Sequence, residues 1–453
     1  MAISCIPSDL ARESSCFCFS SKQHDQIRLY LLCQWANASG CVLPSKATTP
    51  DPANGSSASE PTSTVLSWAN GGGATSYDVW FNGAFQGNQV GTTFDPGLLD
   101  GDTVYEWRID AVNDCDTTTG DTWSFTTTAL FSFSPSTAAV TWTDSGGVHT
   151  GNLAAFYATV AVTGIGTVTI FDCNSLGITS VTNIPSLSGV IDFGCQNNSI
   201  TTLDFTGCSN LDNVDCLLNP GLTTLNVTGC AALTMLNCTQ CNLSSLDVSA
   251  HLALNELRCG SMTLQSLTSL DVTGLTALTV LECDSNGLTT AGLVGLTTCT
   301  ALITLDCSSN NAAGFTSLTL TGLSALTSLD CSICGNITTI TLTGCAALAN
   351  INALSCSSLD PFDVTPCAAA LTTLNCRNCG ILTTLNVTGC TLLNNLNIRD
   401  TSFDAAGIDT VECMLDANGT INGQLDITNT PGCAVCVCEG NLSPGKGWTI
   451  TGP

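Results

Sequence analysis

The chain has 453 residues, more than one hydrophobic core usually fills, so we expect two to four domains. Thirty-six acidic against nine basic residues give a formal net charge of −27, which repels nucleic-acid phosphates and anionic lipid surfaces and argues against partners of both kinds. No apolar run reaches the roughly 18 residues of a membrane-spanning helix, and the first residues lack a basic segment followed by an apolar one, so we expect neither membrane insertion nor a general secretion signal.

Residues 1–40 predict a short helical segment that anchors the chain. Ile27, Tyr30, Leu31 and Trp35 recur at helical spacing, and an apolar stripe of this size needs burial against a partner. We therefore predict a homo-oligomer or a larger assembly held through this segment. A cysteine-containing stretch precedes a Tyr-Leu-Leu-x-Gln run here, with Cys16, Cys18, Tyr30, Leu31, Leu32 and Gln34 as its residues. In these residues the segment resembles a short N-terminal module of bacteriophage structural and tail-associated proteins, which implies a virion component made in the host cytoplasm.

The next two segments predict a linker followed by a small β domain. Residues 41–61 are rich in Pro, Ser, Thr and Ala, as linkers are. Residues 62–128 alternate apolar and polar residues in short runs separated by Gly and Asp, which predicts a β-sandwich. The stretch resembles the fibronectin type III family, and an unrelated small sandwich is the alternative. Trp68 matches the early core tryptophan, Tyr77 the third-strand aromatic, and Leu99 with Tyr105 the tyrosine corner.

Residues 129–166 contain alternating stretches that lack the register of the repeats that follow. A repeat array needs its first turn covered, so we predict that this segment is the N-terminal cap of a solenoid.

A pattern with a period of 21 to 24 residues makes residues 167–412 a repeat array of eleven turns, counted from Cys173 to Ile398. Each repeat contains Leu-x-x-Leu-x-Cys, whose alternation places both leucines and the cysteine on one buried face of a short strand. We name these cysteines the first column, in which Ala353 and Ile398 replace cysteine. The first column contains Cys173, Cys195, Cys216, Cys238, Cys259, Cys283, Cys307, Cys331 and Cys376.

A second inward position, the second column, lies three residues after the first. Asparagine or cysteine there can hydrogen-bond backbone groups that neighbouring turns leave unpaired. This register explains CxxC pairs without zinc, because the columns repeat once per turn and exchange with other residues, so we predict buried, reduced thiols. The second column contains Asn198, Asn219, Cys241, Asn286, Asn310, Cys334, Cys356 and Cys379.

Each repeat also contains a second strand-like run rich in Thr, Val and Ile, such as residues 222–230. The pattern L-x-x-L-x-[LC]-x-x-[NC], as in residues 302–310, resembles the leucine-rich repeat family. The predicted fold class is mainly β: a fibronectin type III-like sandwich, then a leucine-rich-repeat solenoid with an extended rather than helical convex side, and a short N-terminal helix. The run ends in a third column of Cys208, Cys230, Cys299, Cys345, Cys367 and Cys390, with Leu275 and Leu323 in two turns.

Residues 413–453 predict a C-terminal cap in the form of a closing hairpin and a final strand, which would cover the last sheet edge. Several cysteines at the two ends of the chain lie outside the columns, and disulfides, metal ligation and plain thiols remain open for them. They are Cys5, Cys16, Cys18, Cys413, Cys433, Cys436 and Cys438.

The exposed position before the first column predicts a polar stripe along one sheet face. A solvated surface is the simpler interpretation, and a groove for a protein or glycan ligand is the functional one, because repeat arrays bind along such surfaces. The candidate stripe contains Asp172, Asp215, Asn237, Arg258, Glu282, Asp306, Asp330, Asn352, Asn375 and Asn397, with Gly194 in the same row.

Four carboxylates of this region are a candidate calcium site. Glu282, Asp306 and Asp330 occupy equivalent positions on successive turns, and Asp284 follows Glu282 by two residues. Calcium takes oxygen ligands, and waters would complete its shell. Four separately hydrated side chains are the alternative. No other cofactor is predicted.

The sequence shows no catalytic arrangement. The three histidines are isolated from any hydrolase or metalloprotease motif, and the P-loop-like stretch 440–447 has Gly447 where a Ser or Thr would hold magnesium. We therefore expect a non-enzymatic, modular structural or recognition protein. The prediction is a bacteriophage virion appendage or decoration protein that binds a host-surface or virion partner, and a bacterial cell-surface or extracellular adhesin is the alternative.

Overall fold

The computed structural model describes residues 42–59, 64–97, 99, 103–127, 131–134, 136–153, 156, 167–260, 267–434, 442 and 446–452. The predicted N-terminal helix and its face of Ile27, Tyr30, Leu31 and Trp35 lie outside these residues. The chain divides into two compact units, residues 1–130 and 131–453.

The described residues of the first unit form nine strands in two sheets. The strands are β1 Thr48–Asp51, β2 Ser56–Ser59, β3 Leu66–Ala69, β4 Ser76–Phe81, β5 Ala84–Gln89, β6 Thr93–Phe94, β7 Val104–Val112, β8 Thr117–Thr118 and β9 Thr122–Thr127. One sheet has the order β1-β3-β6, and the other has the order β2-β9-β7-β4-β5 with β8 beside β7.

The core of this unit contains the residues that the sequence singled out. Trp68, Tyr77, Leu99 and Tyr105 are buried, and the rings of Trp68 and Tyr77 meet edge to face with centroids 5.5 Å apart. The predicted linker over 41–61 is wrong, because β1 pairs with β3 and β2 pairs with β9. Its Ser, Thr and Pro residues suit edge strands as well as linkers, so composition alone did not separate the two.

The second unit contains a fifteen-stranded sheet, which we name the main sheet. Thirteen of its described strands run parallel. In all of them except the last, the middle residue is buried while its neighbours are half-buried or exposed. The parallel strands are β13 Ile170–Asp172, β15 Asp192–Gly194, β17 Asn213–Asp215, β19 Met235–Asn237, β20 Glu256–Arg258, β22 Val280–Glu282, β24 Thr304–Asp306, β26 Ser328–Asp330, β28 Asn350–Asn352, β30 Thr373–Asn375, β32 Asn395–Asn397, β33 Gln424–Asp426 and β34 Thr449–Thr451.

An antiparallel hairpin, β11 Val140–Asp144 with β12 Gly147–Gly151, covers the first edge of the main sheet. Trp142 of this hairpin stacks on His149 and meets Phe156 edge to face, and Phe156 in turn contacts Phe171 of the first parallel strand. These aromatic rings replace the leucine that a preceding repeat would supply to the core.

The second side of the solenoid is extended, as the Thr- and Val-rich runs predict. Its strands form separate two-stranded sheets. Short 3-10 helices at Ile184–Ser186, Leu296–Thr298 and Thr365–Cys367 follow three of these strands within the same turn, and a fourth lies at Pro431–Ala434. The strands are β10 Ser132–Ser134, β14 Ser180–Thr182, β16 Thr202–Asp204, β18 Thr224–Asn226, β21 Leu270–Asp271, β23 Leu293–Val294, β25 Ser317–Thr319, β27 Thr339–Thr341, β29 Phe362–Asp363 and β31 Leu385–Asn386.

The C-terminal end differs from the prediction in two respects. Residues Ala405–Asn418 form an α-helix, α1, which replaces the second strand of its turn. The closing hairpin is wrong, because β33 pairs parallel with both β32 and β34 and so continues the solenoid. The Asn-Gly and Pro-Gly pairs that suggested a hairpin instead lie at turns of the solenoid and at the end of α1.

Candidate ligand-binding face

The main sheet brings the predicted polar stripe into one continuous row. Each member pairs in register with the next, from Asp172 beside Gly194 to Asn375 beside Asn397. Asp426 and Thr451, which the sequence analysis did not include, extend the row by two strands. The first residue of each strand forms a second outward row on the same face.

Most stripe residues accept a backbone hydrogen bond from the residue two positions later, a structural role that the sequence analysis missed. The side-chain oxygen of Asp306 accepts a hydrogen bond from the backbone N–H of Ser308 at 2.9 Å, and Asp330 does the same with Ser332 at 2.9 Å. Such Asx turns end a strand by occupying a backbone donor. The same contact recurs at Asp172, Asp215, Asn237, Asn352, Asn375, Asn397 and Asp426.

A left-handed residue follows three positions after the stripe and completes each turn. Ser309 (φ 58°), Asn378 (φ 63°) and Asp400 (φ 57°) are suited to this conformation, whereas Leu218 and Ile333 are not. The periodic Asp or Asn followed three residues later by Ser or Asn was the signal for this turn in the sequence.

Arg258 and Glu282 depart from the turn pattern. The Arg258 guanidinium contacts the carboxylates of Glu256 and Glu282, so the one cation of the stripe is neutralised by its own neighbours. Gly194 departs in another way, because a Cβ at this position would lie in close contact with the Asn174 amide, 3.2 Å from Nδ2.

The predicted calcium ligands lie on or beside adjacent strands, but their carboxylates contact other side chains and do not converge on one point. Glu282 contacts Arg258, and the second oxygen of Asp330 accepts a hydrogen bond from Asn352 Nδ2 at 2.8 Å. Burial, with repulsion from Asp306, raises the pKa of Asp284. Within the described ranges no three His, Cys, Asp or Glu side chains are arranged to hold a metal ion. The calcium site therefore stays a prediction without a preformed cluster.

The cysteines of the three columns belong to the buried core of the solenoid. All nineteen cysteines of the three columns are buried and carry free thiols, and burial raises the pKa of Cys173 and Cys259 to about 12. Thiols this far from ionisation are poor nucleophiles and poor metal ligands.

The second column hydrogen-bonds the backbone across turns. Asn310 Nδ2 donates to Cys283 O of the previous turn at 3.0 Å and to Cys307 O at 2.9 Å. Where cysteine replaces asparagine, Cys334 Sγ donates to Cys307 O at 3.3 Å. Thr401 and Thr430 continue the column by donating to Ile398 O. Asn, Cys and Thr are exchangeable there because each supplies a donor.

His251 belongs to the third column, although the sequence analysis treated it as isolated. It is 3% exposed, and its Nε2 lies 2.9 Å from Val227 O. Cys230 and Cys345 make the corresponding contact with Phe205 O and Leu320 O. The residue is therefore a core donor and not a catalytic base.

Two described cysteines outside the columns are oxidised. Cys115 in the first unit and Cys413 on α1 are both disulfide-bonded. Cys413 is exposed and Cys115 is half-buried, in contrast to the buried free thiols of the columns. Cys5, Cys16, Cys18, Cys436 and Cys438 lie outside the described residues.

The second side of the solenoid has a small cleft of about 190 Å³ between Leu293 and Leu318. Its lining residues include Ser and Thr hydroxyls but no acid, histidine or cysteine, so none of the lining side chains is a general base that could activate those hydroxyls. None of the helices within the described ranges combines the length and apolar character that a bilayer crossing requires.

Comparisons with known proteins find similarity only among solved structures. No family model and no curated protein matches the chain. The functional domain of InlJ from Listeria monocytogenes, which includes a cysteine ladder, is 26% identical, with a TM-score of 0.31, over 58% of this chain and 74% of that one. The internalin InlF from Listeria monocytogenes is 15% identical, with a TM-score of 0.38, over 59% and 75%. The internalin InlC2 is 18% identical, with a TM-score of 0.21, over 54% and 77%.

Proposed function

We propose that the chain is an extracellular or cell-surface leucine-rich-repeat-like protein that binds a protein or glycan partner through the outer face of the main sheet, without catalysis. The observation that carries the proposal is the face itself. Two rows of outward side chains cross thirteen described parallel strands in register. Repeat proteins bind along continuous surfaces of this kind.

The distribution of cysteines supports an extracellular location. Buried column thiols do not report the redox compartment, because oxidants do not reach them. The cysteines that solvent can reach are informative, and Cys115 and Cys413 are disulfide-bonded. Disulfides persist in oxidising compartments and are rare in the cytosol. This supports the extracellular alternative over the virion appendage, whose resemblance rests on residues outside the described ranges.

The first unit serves in this proposal as a fibronectin type III-like spacer. Its support is the division into a sheet of β1, β3 and β6 and a sheet containing β9, β7, β4 and β5, with buried Trp68 and Tyr105 in the common core. Assembly through the N-terminal segment remains part of the proposal and rests on the apolar stripe of residues 27–35 alone.

The experiment that tests the proposed function places one bulky residue on each side of the solenoid. Asn350 lies on the outer face of the main sheet and Thr341 on the second side, and both are exposed. The full chain is screened against arrays of purified glycans and surface-protein ectodomains. We expect Asn350→Trp to weaken binding of the selected ligand about tenfold or more, and Thr341→Trp to leave it unchanged. The reverse pattern, or no ligand on either array, would overturn the proposal.

A further inference from the structure

The last strands of the main sheet place two arginines side by side in a strongly acidic chain. Arg377 and Arg399 each lie two residues after a stripe asparagine, just beyond the ends of the neighbouring strands β30 and β32. Both guanidiniums are partly exposed, at 49% and 35% of their side-chain surface. With only nine basic residues against 36 acidic ones, such a pair is unusual for this chain.

Asp400 aligns the two guanidiniums from one side. Its Oδ2 lies 3.1 Å from Arg399 Nε and 3.7 Å from Arg377 Nε, while its Oδ1 accepts a hydrogen bond from Asn429 Nδ2 at 2.9 Å. These contacts use the Nε atoms. In the part of the chain that the structure describes, neither arginine donates a hydrogen bond through its terminal Nη groups, which are the fork that recognises carboxylates.

Amides without a described partner lie on the same sheet face as the strands that precede this pair. Asn395 and Gln424 pair in register on the outward face, and Asn397 uses its carbonyl oxygen to accept from Arg399 N at 3.1 Å. No described partner occupies the amide NH₂ of Asn397 or the side chains of Asn395 and Gln424. Amides both donate to and accept from hydroxyl groups.

The chemistry of this face favours a sugar over a peptide. The outward positions of β28, β30, β32 and β33 are Asn, Thr, Gln or Asp, without an apolar side chain to anchor a peptide. Asp330 and Asp426 lie at the two ends of the region and repel a densely charged polymer. A ligand with isolated carboxylates among neutral hydroxyls avoids this repulsion.

We propose that Arg377 and Arg399 bind the carboxylate of a uronic-acid-containing glycan, whose hydroxyls contact Asn395, Asn397 and Gln424. This inference rests on the proposed function, since it names the ligand class and the part of the main-sheet face that binds it. Asp400 acts as a positioning residue that orients both guanidiniums.

Calorimetric titration of the full chain with a hyaluronan hexasaccharide tests the proposal, because its carboxylates alternate with neutral sugars. An N-acetylglucosamine hexasaccharide, which lacks carboxylates, is the ligand control. We expect binding of the acidic sugar to be about tenfold tighter than that of the neutral one, and to weaken with salt.

The variant Arg377→Gln/Arg399→Gln should lose at least about tenfold in affinity for the acidic sugar. Arg258→Gln is the matched control, because its guanidinium is already neutralised by Glu256 and Glu282, and it should bind like wild type. Thermal unfolding verifies that the variants are folded. Asp400→Asn should weaken binding less than the double change.

Four results would overturn the inference: no binding of the acidic sugar at millimolar concentration, equal binding of the neutral sugar, unchanged binding by the double variant, or tighter binding of a polyglutamate peptide. The two failures are distinguishable. If Asn350→Trp abolishes binding of another ligand, the face is still the recognition surface and only the uronate assignment is wrong. The proposed function itself fails if no ligand is found on either array, or if Thr341→Trp and not Asn350→Trp weakens binding.

Discussion

A cysteine in this solenoid has a different role in each column. Cys307 in the first column is fully buried among leucines, whereas Cys334 in the second donates its thiol hydrogen to Cys307 O. A hydroxyl is a stronger hydrogen-bond donor than a thiol and needs a partner when buried. The same Cys→Ser change should therefore destabilise the protein more at Cys307 than at Cys334.

Cys307→Ser should lower the free energy of unfolding by about 1 to 3 kcal/mol, because the new hydroxyl is buried in an apolar column. Cys334→Ser should cost less, since its hydroxyl has the backbone carbonyl that the thiol had. Chemical denaturation of both variants measures the difference. Equal destabilisation would contradict the assigned roles of the two columns.

The left-handed turn position predicts a stabilising change. Ile333 has φ 57° and is 48% exposed, so its β-branched side chain adopts a conformation that asparagine tolerates better. Ile333→Asn should raise the free energy of unfolding by about 1 kcal/mol. Ile381→Asn is the control, because Ile381 is 53% exposed but has no left-handed backbone. An equal gain at Ile381 would mean that surface polarity, and not the backbone, is responsible.

At the scale of elements, helix α1 is the feature that the sequence analysis overlooked. Asp404 caps its first turn by accepting from Gly407 N at 2.8 Å, and Gly419 ends it with φ 76°. Ile408, Val411, Glu412 and Leu415 are its buried face. These signals were present in the sequence, but the dominant 21- to 24-residue period led us to assign the stretch to strands and a cap.

Asp404→Ala should destabilise the C-terminal end by about 1 kcal/mol, because a backbone donor at the start of α1 loses its acceptor. Asp404→Asn keeps a side-chain oxygen at the same position and should be close to wild type. Hydrogen exchange across residues 405–418 measures the local effect. Equal protection in both variants would show that the cap contributes nothing.

The repeat register was predictable because alternation and period fix which side chains face inward. The columns, the extended second side and the polar stripe all followed from this pattern, and the structure confirms their register. The Asx turns behind the stripe did not follow, because Asp and Asn are equally typical of solvated surfaces and of turns. Arg377 and Arg399 were missed because they lie two residues beyond the stripe, where the sequence has no periodic pattern of charged residues.

Calcium binding by Glu282, Asp284, Asp306 and Asp330, which lie on or beside three neighbouring strands, remains a prediction. Ca²⁺ bound there should be weak, since Glu282 contacts Arg258 and Asp330 accepts from Asn352. Calorimetric titration of wild type against Asp306→Asn tests the site, because that change removes one carboxylate from the row. If Ca²⁺ does not bind more tightly than millimolar, or if the substitution leaves binding unchanged, the predicted calcium site is wrong.

Across the whole molecule, the cysteines fall into two groups: reduced thiols in the solenoid core, and disulfide-bonded cysteines outside the columns. The core explains why nineteen cysteines stay free, since each column position is apolar or hydrogen-bonded to backbone. The disulfides of Cys115 and Cys413 lie where solvent reaches the chain and support the proposed extracellular location.

Peptide mapping of the protein from its native source, alkylated under denaturing conditions without reductant, separates the two groups of cysteines. We expect the nineteen column cysteines to be alkylated, while Cys115 and Cys413 are recovered in disulfide-linked peptides. Column cysteines recovered as disulfides would contradict the assigned core, and free, alkylated Cys115 and Cys413 would contradict the extracellular location.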